Sequence, residues 1–236
     1  MGSGKTLVII PAFNEERSIG GVIDDVRQHL PEADVVVVDD GSGDATAEIA
    51  RGKKVIVLPL SFNLGIGAAM QTGYQYAKAN GYDVAVQFDG DGQHRGDQLS
   101  VLLQPLLEGK ADLSVGSRFL QKGAYDAELP RLVGIKMLCR IISSLIGRKV
   151  TDPTSGFRAA NRRVIEFYSD WYPDDYPEPE ALVLLHKAGF GIAEVPVLME
   201  KRLVGTSSIT VVRAFYYMVK VVLAIMVDMI KKVPGR

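Results

Sequence analysis

The sequence predicts an α/β protein, with a mostly parallel sheet covered by helices on both faces. Short apolar bursts alternate with stretches of helical periodicity along the first half of the chain. The bursts are rich in Val and Ile and run without polar alternation, as strands buried on both faces do. The segments that follow the bursts are polar and unusually acidic, and in an open parallel sheet ligands sit beyond the carboxyl ends of the strands.

Taken in order, strands are expected at 6–10, 34–38, 55–58, 83–88 and 112–115, each ending in polar, Gly or Pro positions. Helices are expected between them near 16–29, 44–51, 67–80 and 96–108. The pattern then changes. Residues 132–146 read as one amphipathic helix and 151–158 as a polar loop. Helices follow near 162–169 and 180–188, a strand near 192–197, and a last helix from about 210 to 232. Residues 1–205 are therefore expected to form the main domain and 206–236 an amphipathic helical appendage.

Composition bounds the function. With 236 residues and 47% hydrophobic content the chain can bury a sizeable core. Lys and Arg number 27 against 28 Asp and Glu, a formal net charge of -1, so no global basic field recruits nucleic acid. The single cysteine, Cys139, excludes an internal disulfide and a cysteine-cluster metal site, and suits a reducing compartment. No signal-peptide pattern precedes the first strand. No charge-free apolar run reaches the ~18 residues of a membrane span. The nearest, 211–230, is interrupted by Arg213, Lys220 and Asp228.

The loop after the first strand, Pro11-Ala12-Phe13-Asn14-Glu15-Glu16, lacks the glycine-rich turn of a dinucleotide-binding domain. Gly4-Lys5-Thr6 ends like a phosphate-binding loop but has no glycine five residues before Gly4. Gly65-Ile66-Gly67 is half a dinucleotide fingerprint in the wrong place. After the second strand come Asp39 and Asp40, then Gly41-Ser42-Gly43-Asp44. Helix capping explains Ser42 or Asp44 but not two adjacent carboxylates, one of which can accept a hydrogen bond from a nucleobase. After the fourth strand, Asp89-Gly90-Asp91-Gly92-Gln93-His94 alternates its aspartates. That suits a hard divalent cation held by one or two carboxylates plus substrate phosphates, against the plainer reading of an Asp/Gly turn. His94 reads as ligand, supporting donor or neither. Arg118 and Arg158 end two further loops, and an arginine fork suits phosphate, although either alone also suits a salt bridge.

These residues carry a resemblance. The stretches are Pro-Ala-Phe-Asn-Glu-Glu at 11–16, Val-Asp-Asp-Gly-Ser at 38–42 with Asp44 and Thr46, and Asn63-x-Gly65-x-Gly67-Ala68. They continue through Asp89-x-Asp91-x-Gln93-His94, Gly116-Ser117-Arg118, Asp152-x-Thr154-Ser155-Gly156-Phe157-Arg158 and Arg202-x-x-Gly205-x-Ser207. In order and spacing they resemble the inverting family-two glycosyltransferases of GT-A fold, over about 7–209. The similar branch is that of polyprenyl-phosphate (dolichol-phosphate-like) mannosyl- and glucosyltransferases.

The resemblance implies a UDP- or GDP-sugar donor. Pro11, Phe13 and Glu15 would frame the nucleotide. Asp40 would read the base with Asp39 in support, and Asn63 and Gly67 would lie near the nucleoside. Asp89 and Asp91 would hold Mg²⁺ or Mn²⁺ on the diphosphate with Gln93 beside the metal, and Arg118, Arg158 and Arg202 would contact phosphates.

It also implies an acceptor, either a polyprenyl phosphate or a glycan hydroxyl. A hydroxyl needs a general base, for which the candidates are Glu178 and Glu180; both also simply begin a helix, and Glu180 stays open as a catalytic carboxylate. A lipid phosphate is already ionised and needs none. The lysine that often ends the Arg202 motif in that branch is absent, since Ser208 and Ile209 follow Ser207.

The apolar faces of 132–146 and of the last helix suit a membrane surface, a small membrane partner protein or a homo-oligomer seam. The expected location is peripheral, at the inner face of the cell membrane. A nucleotidyltransferase and an inactive nucleotide-sugar-binding protein are the alternatives. The first loop argues against the former and the intact acidic pair against the latter.

Overall fold

The computed structural model describes residues 4–121, 129–174, 177–200 and 211–230. Seven strands form one sheet: β1 (Thr6–Ala12), β2 (Asp34–Asp39), β3 (Ile56–Pro59), β4 (Val84–Gln87), β5 (Leu113–Ser117), β6 (Arg158–Asn161) and β7 (Ile192–Pro196). Their order across the sheet is β3-β2-β1-β4-β6-β5-β7. All lie parallel except β6, which runs antiparallel between β4 and β5.

The sheet has two buried faces because its central strands carry apolar residues at successive positions. Along β1, Leu7 and Ile9 enter one core, while Val8, Ile10 and Ala12 enter the other. Helices α1 (Ile19–His29), α2 (Thr46–Gly52) and α4 (Leu99–Leu107) cover the second face. Helices α3 (Ile66–Ala79), α5 (Leu129–Ile146), α6 (Arg162–Asp170), α7 (Pro177–Lys187) and α8 (Val211–Ile230) cover the first. Close approach of α3 to β1 depends on Gly73, where a methyl group would lie 2.4 Å from Ile9 Cγ2. Strand–helix alternation through β5 matches the expected pattern, and both faces are covered as parallel sheets require.

Three differences matter. The helix expected from 16 begins at Ile19, because residues 14–16 are hydrogen-bonded to the neighbouring loop. The helix expected from 96 opens with a 3₁₀ turn, Gly96–Gln98, before α4. The polar loop expected at 151–158 delivers a strand that the sequence reading did not anticipate. Because β6 is antiparallel, its first residue, Arg158, pairs with Gln87 at the end of β4. The loop therefore arrives at the same edge as the carboxyl ends of the parallel strands.

Among the described residues no helix is long and apolar enough to cross a membrane. Helix α8 buries Val221 and Ile225 in the same core as α5 and α7. Its opposite side exposes Leu223, Met226, Val227 and Ile230, which fall within one arc of about 100° at helical spacing.

Candidate active site

The loops after β1 and β2 are laced together. Asn14, in the left-handed region at φ 56°, donates its N–H to Ser42 Oγ at 3.0 Å, and its Oδ1 accepts from Gly43 N at 2.9 Å. Glu15 N donates to Thr46 Oγ1 at 2.8 Å, and Glu16 N to Asp44 at 3.2 Å. Burial by itself would raise the Asp44 carboxyl, but hydrogen bonds from the Thr46 hydroxyl and from the N–H groups of Thr46 and Glu16 hold it below its ordinary value.

The adjacent carboxylates divide their work. Asp39 accepts from Ser42 N at 3.3 Å. Asp40 accepts from Leu64 N at 2.7 Å and Gly65 N at 2.9 Å, so it grips the loop ahead of α3. That loop passes so close to Gly41, itself at φ 70°, that a methyl group there would lie 2.7 Å from the Phe62 carbonyl carbon. Only glycine tolerates both conditions.

The laced loops wall a cavity of about 340 Å³. Its lining brings Pro11, Phe13, Glu15, Asp40 and Asn63 together with Asp89 and Asp91. Asp39 and Gln93 stand just outside this lining and brace it: Gln93 N donates to Asp91 Oδ1 at 3.0 Å, and its side-chain amide reaches the Glu200 carbonyl. Gly67, expected near the nucleoside, packs instead against the chain ahead of α7. A methyl group there would lie 2.1 Å from the Asp174 carbonyl oxygen and 2.4 Å from that of Pro173.

His94 is buried behind the acidic turn. Its Nδ1 accepts the Asp89 N–H at 2.9 Å, so in the neutral ring the proton sits on Nε2, which lies 3.6 Å from Asp89 Oδ2. Burial pulls this imidazole below its ordinary range, against the raising influence of Asp89 and Asp91. The ring stacks on Phe157 with centroids 4.7 Å apart. His94 is thus a support for the turn.

The arginines sit differently from the expected phosphate contacts. Arg118 is buried, with its Nε and Nη2 each 2.7 Å from the two oxygens of a fully buried Asp152 and a further bond to Thr154. Its fork is filled by a carboxylate of the chain itself. Arg158 is the largest fully buried side chain. Its Nε donates to Ser155 O at 2.7 Å and its Nη2 to Pro153 O at 3.2 Å. Both arginines therefore brace the 152–158 loop from within. Arg202, Gly205 and Ser207 lie outside the described residues.

Glu178 and Glu180 stand in the first turn of α7. Glu180 is buried. Desolvation pushes the Glu178 carboxyl up, Arg158 opposes this and Asp89 adds to it, so Glu178 senses the acidic turn. Spacing alone does not tell which carboxylate of the first turn of α7 faces the acidic turn. The sequence reading gave no role to Glu194, whose carboxylate accepts from the N–H groups of Thr151 and Asp152 at 2.9 Å and pins the base of the loop. An acidic residue inside the otherwise apolar β7 is the signal that points to it.

A divalent cation fits this donor set. Asp89 and Asp91 offer carboxylate oxygens just beyond a strand end, where both line the cavity. Among the described residues no cluster of three or more His, Cys, Asp or Glu could enclose a metal, so the remaining ligands would come from a diphosphate and water.

Comparison with known proteins gives the family and the fold. The chain is 33% identical over 216 residues to polyprenol monophosphomannose synthase of Mycolicibacterium smegmatis, covering 87% of this chain and 81% of that protein. It is 33% identical over 210 residues to UDP-N-acetylglucosamine--dolichyl-phosphate N-acetylglucosaminyltransferase of Methanococcus voltae, covering 80% and 83%. The fold is similar to that of glucosyl-3-phosphoglycerate synthase from Mycobacterium tuberculosis, crystallised with Mn²⁺, UDP and phosphoglyceric acid. The TM-score is 0.74 at 20% identity, covering 96% of this chain and 78% of that one. Residues 7–168 match the model of glycosyl transferase family 2, and the chain belongs to that family of glycosyltransferases.

Proposed function

We propose that the protein transfers a sugar from a UDP- or GDP-sugar to a polyprenyl phosphate at a membrane surface, with Mg²⁺ or Mn²⁺ on the diphosphate. The observation that carries this reading is that one cavity is lined together by Phe13, Asp40 and Asn63 and by Asp89 and Asp91. It has the polarity a nucleoside diphosphate needs, with hydrogen-bonding and apolar groups for the nucleoside and carboxylates for a metal-bound diphosphate. Relatives named for polyprenol, dolichyl and undecaprenyl phosphate products support the acceptor.

In the reaction, bond breaking leaves negative charge on the departing diphosphate, and the cation supplies charge stabilisation there. Asp89 and Asp91 would hold that cation in place. Asp40 and the loop it grips would fix the nucleoside, so that the anomeric carbon faces away from the leaving group toward the acceptor. An acceptor phosphate is ionised at neutral pH and attacks without a base. A second reading, transfer to a glycan hydroxyl, draws support from Glu178, a partly buried carboxyl that desolvation raises above its ordinary value, with Asp89 adding to the rise.

The deciding experiment compares polyprenyl phosphate, its dephosphorylated alcohol and soluble oligosaccharides as acceptors across UDP- and GDP-sugars. Product is expected with the phosphate alone and only with added divalent metal. Efficient glycosylation of a sugar hydroxyl, lost in Glu178→Gln or Glu180→Gln while the lipid phosphate is ignored, would replace the first reading by the second.

A further inference from the structure

Gly156 lies directly against the acidic turn. A methyl group built on its Cα would be 2.8 Å from Asp89 Oδ2, 3.2 Å from Asp89 Oδ1 and 2.8 Å from Gln87 Nε2. Its backbone is not in the left-handed region, so alanine is conformationally allowed and the requirement for glycine there is spatial. The loop has no room to withdraw. Ser155 and Phe157 on either side are buried, Phe157 stacks on His94, and Arg158 Nε ties back to the Ser155 carbonyl. Gln87 is fully buried too and braces Asp89 through a 3.2 Å hydrogen bond from Nε2 to Oδ1. What can give way is the far end of these two linked side chains, the Gln87 amide and the Asp89 carboxylate it holds, and of the two the carboxylate is about one-third exposed and lines the cavity.

We propose that Gly156 is a positioning residue for the metal site: the bare Cα leaves the space in which the Asp89 carboxylate takes its direction. The role of the 152–158 loop toward the donor is then exerted through Asp89, with Arg118 and Arg158 holding the loop rigid behind it. This rests on the reading that Asp89 and Asp91 hold the divalent cation.

The test uses full-length Gly156→Ala. Mn²⁺ uptake is measured by electron paramagnetic resonance with UDP and with GDP, alongside thermal unfolding and nucleotide binding in metal-free buffer. Because the clash is with the far ends of two side chains, the melting temperature should stay near that of the wild type. Affinity for Mn²⁺ should fall on the order of 10–100-fold, as expected when a group orienting a metal ligand is altered. Metal-free nucleotide binding should hold. Thr154→Ala, which alters the same loop at Arg118 and Asp152 but not at Asp89, should lower the melting temperature and leave Mn²⁺ affinity unchanged. Unaltered Mn²⁺ affinity in a folded Gly156→Ala variant overturns the proposal. So does a variant that does not fold, since the clash would then not be relieved by the ends of the Gln87 and Asp89 side chains. Wild-type protein that takes up no Mn²⁺ with either nucleotide overturns the metal reading itself, a distinct failure.

Discussion

Asp91 and Cys139 show how the same polypeptide makes one group available and another inert. Asp91 opens into the cavity, and its Oδ1 accepts the Gln93 N–H at 3.0 Å. Asp91→Ala removes that bond, worth about 1 kcal/mol, so the variant should fold while losing transfer. Full transfer by this variant in metal-free buffer would sink the metal assignment. Cys139 is half-buried and donates to the Thr151 carbonyl at 3.2 Å. Burial, with Asp152 and Glu194 adding, pushes its thiol from 9.0 up to about 11. A raised value means that the folded chain keeps a proton the unfolded chain releases. The associated stability is complete below about pH 9 and is lost as pH rises through 11. At pH 8 the native thiol should react with a disulfide reagent about 100-fold more slowly than in urea, since only the thiolate attacks. Equal rates in buffer and in urea would show that the site opens freely.

Between elements, the interlocked parts are the 152–158 loop and the ends of β4 and β5. The Arg118–Asp152 pair is bidentate and nearly dry, with side chains 7% and 0% exposed. Its net contribution against an apolar pair is small, but breaking it strands a buried guanidinium. Asp152→Asn should therefore cost about 3–5 kcal/mol in urea unfolding; a loss below about 1 kcal/mol would mean that the charge is balanced elsewhere. Much of this region was legible in the sequence. Asp40, Asp89 and Asp91 stand at strand ends because the apolar runs before them could only be buried strands. Strand β6 was not legible. Arg158-Ala159-Ala160-Asn161 has no β-branched residue and no alternation, and its place between β4 and β5 is set by pairing on both sides. The role of Arg118 was hidden because its partner is distant in sequence. An arginine at a loop end suits phosphate or a salt bridge alike until the carboxylate, 34 residues away in Asp152, folds onto it.

At the scale of the whole molecule, the two cores differ in what lies outside them. The face under α1, α2 and α4 closes beneath short helices. The face under α3 and α5–α8 ends in a helix that is apolar on both sides. Val221 and Ile225 account for the inner stripe of α8. The outer stripe, Leu223 at 56%, Met226 at 59%, Val227 at 50% and Ile230 at 85% exposure, has no counterpart in the described structure. In sequence it runs directly into Lys231 and Lys232, and cations beside an apolar stripe suit an anionic lipid surface. An enzyme whose acceptor carries a polyprenyl chain needs its cavity held near such a surface. On this reading, vesicles containing phosphatidylglycerol should carry the wild-type protein upward in a flotation gradient. Leu223→Gln, Met226→Gln and Ile230→Gln together remove side chains worth up to roughly 1.5–3 kcal/mol each on full burial, so even shallow insertion predicts a loss of vesicle binding of more than about tenfold. Nucleotide binding should not change, because the substitutions lie on the solvent side of α8 and the donor cavity is lined by the β1, β2 and β4 loops and the start of α3. A wild-type chain that stays at the bottom of the gradient would count against lipid contact. A wild-type dimer that the triple variant dissociates would assign the stripe to a second copy of the chain instead.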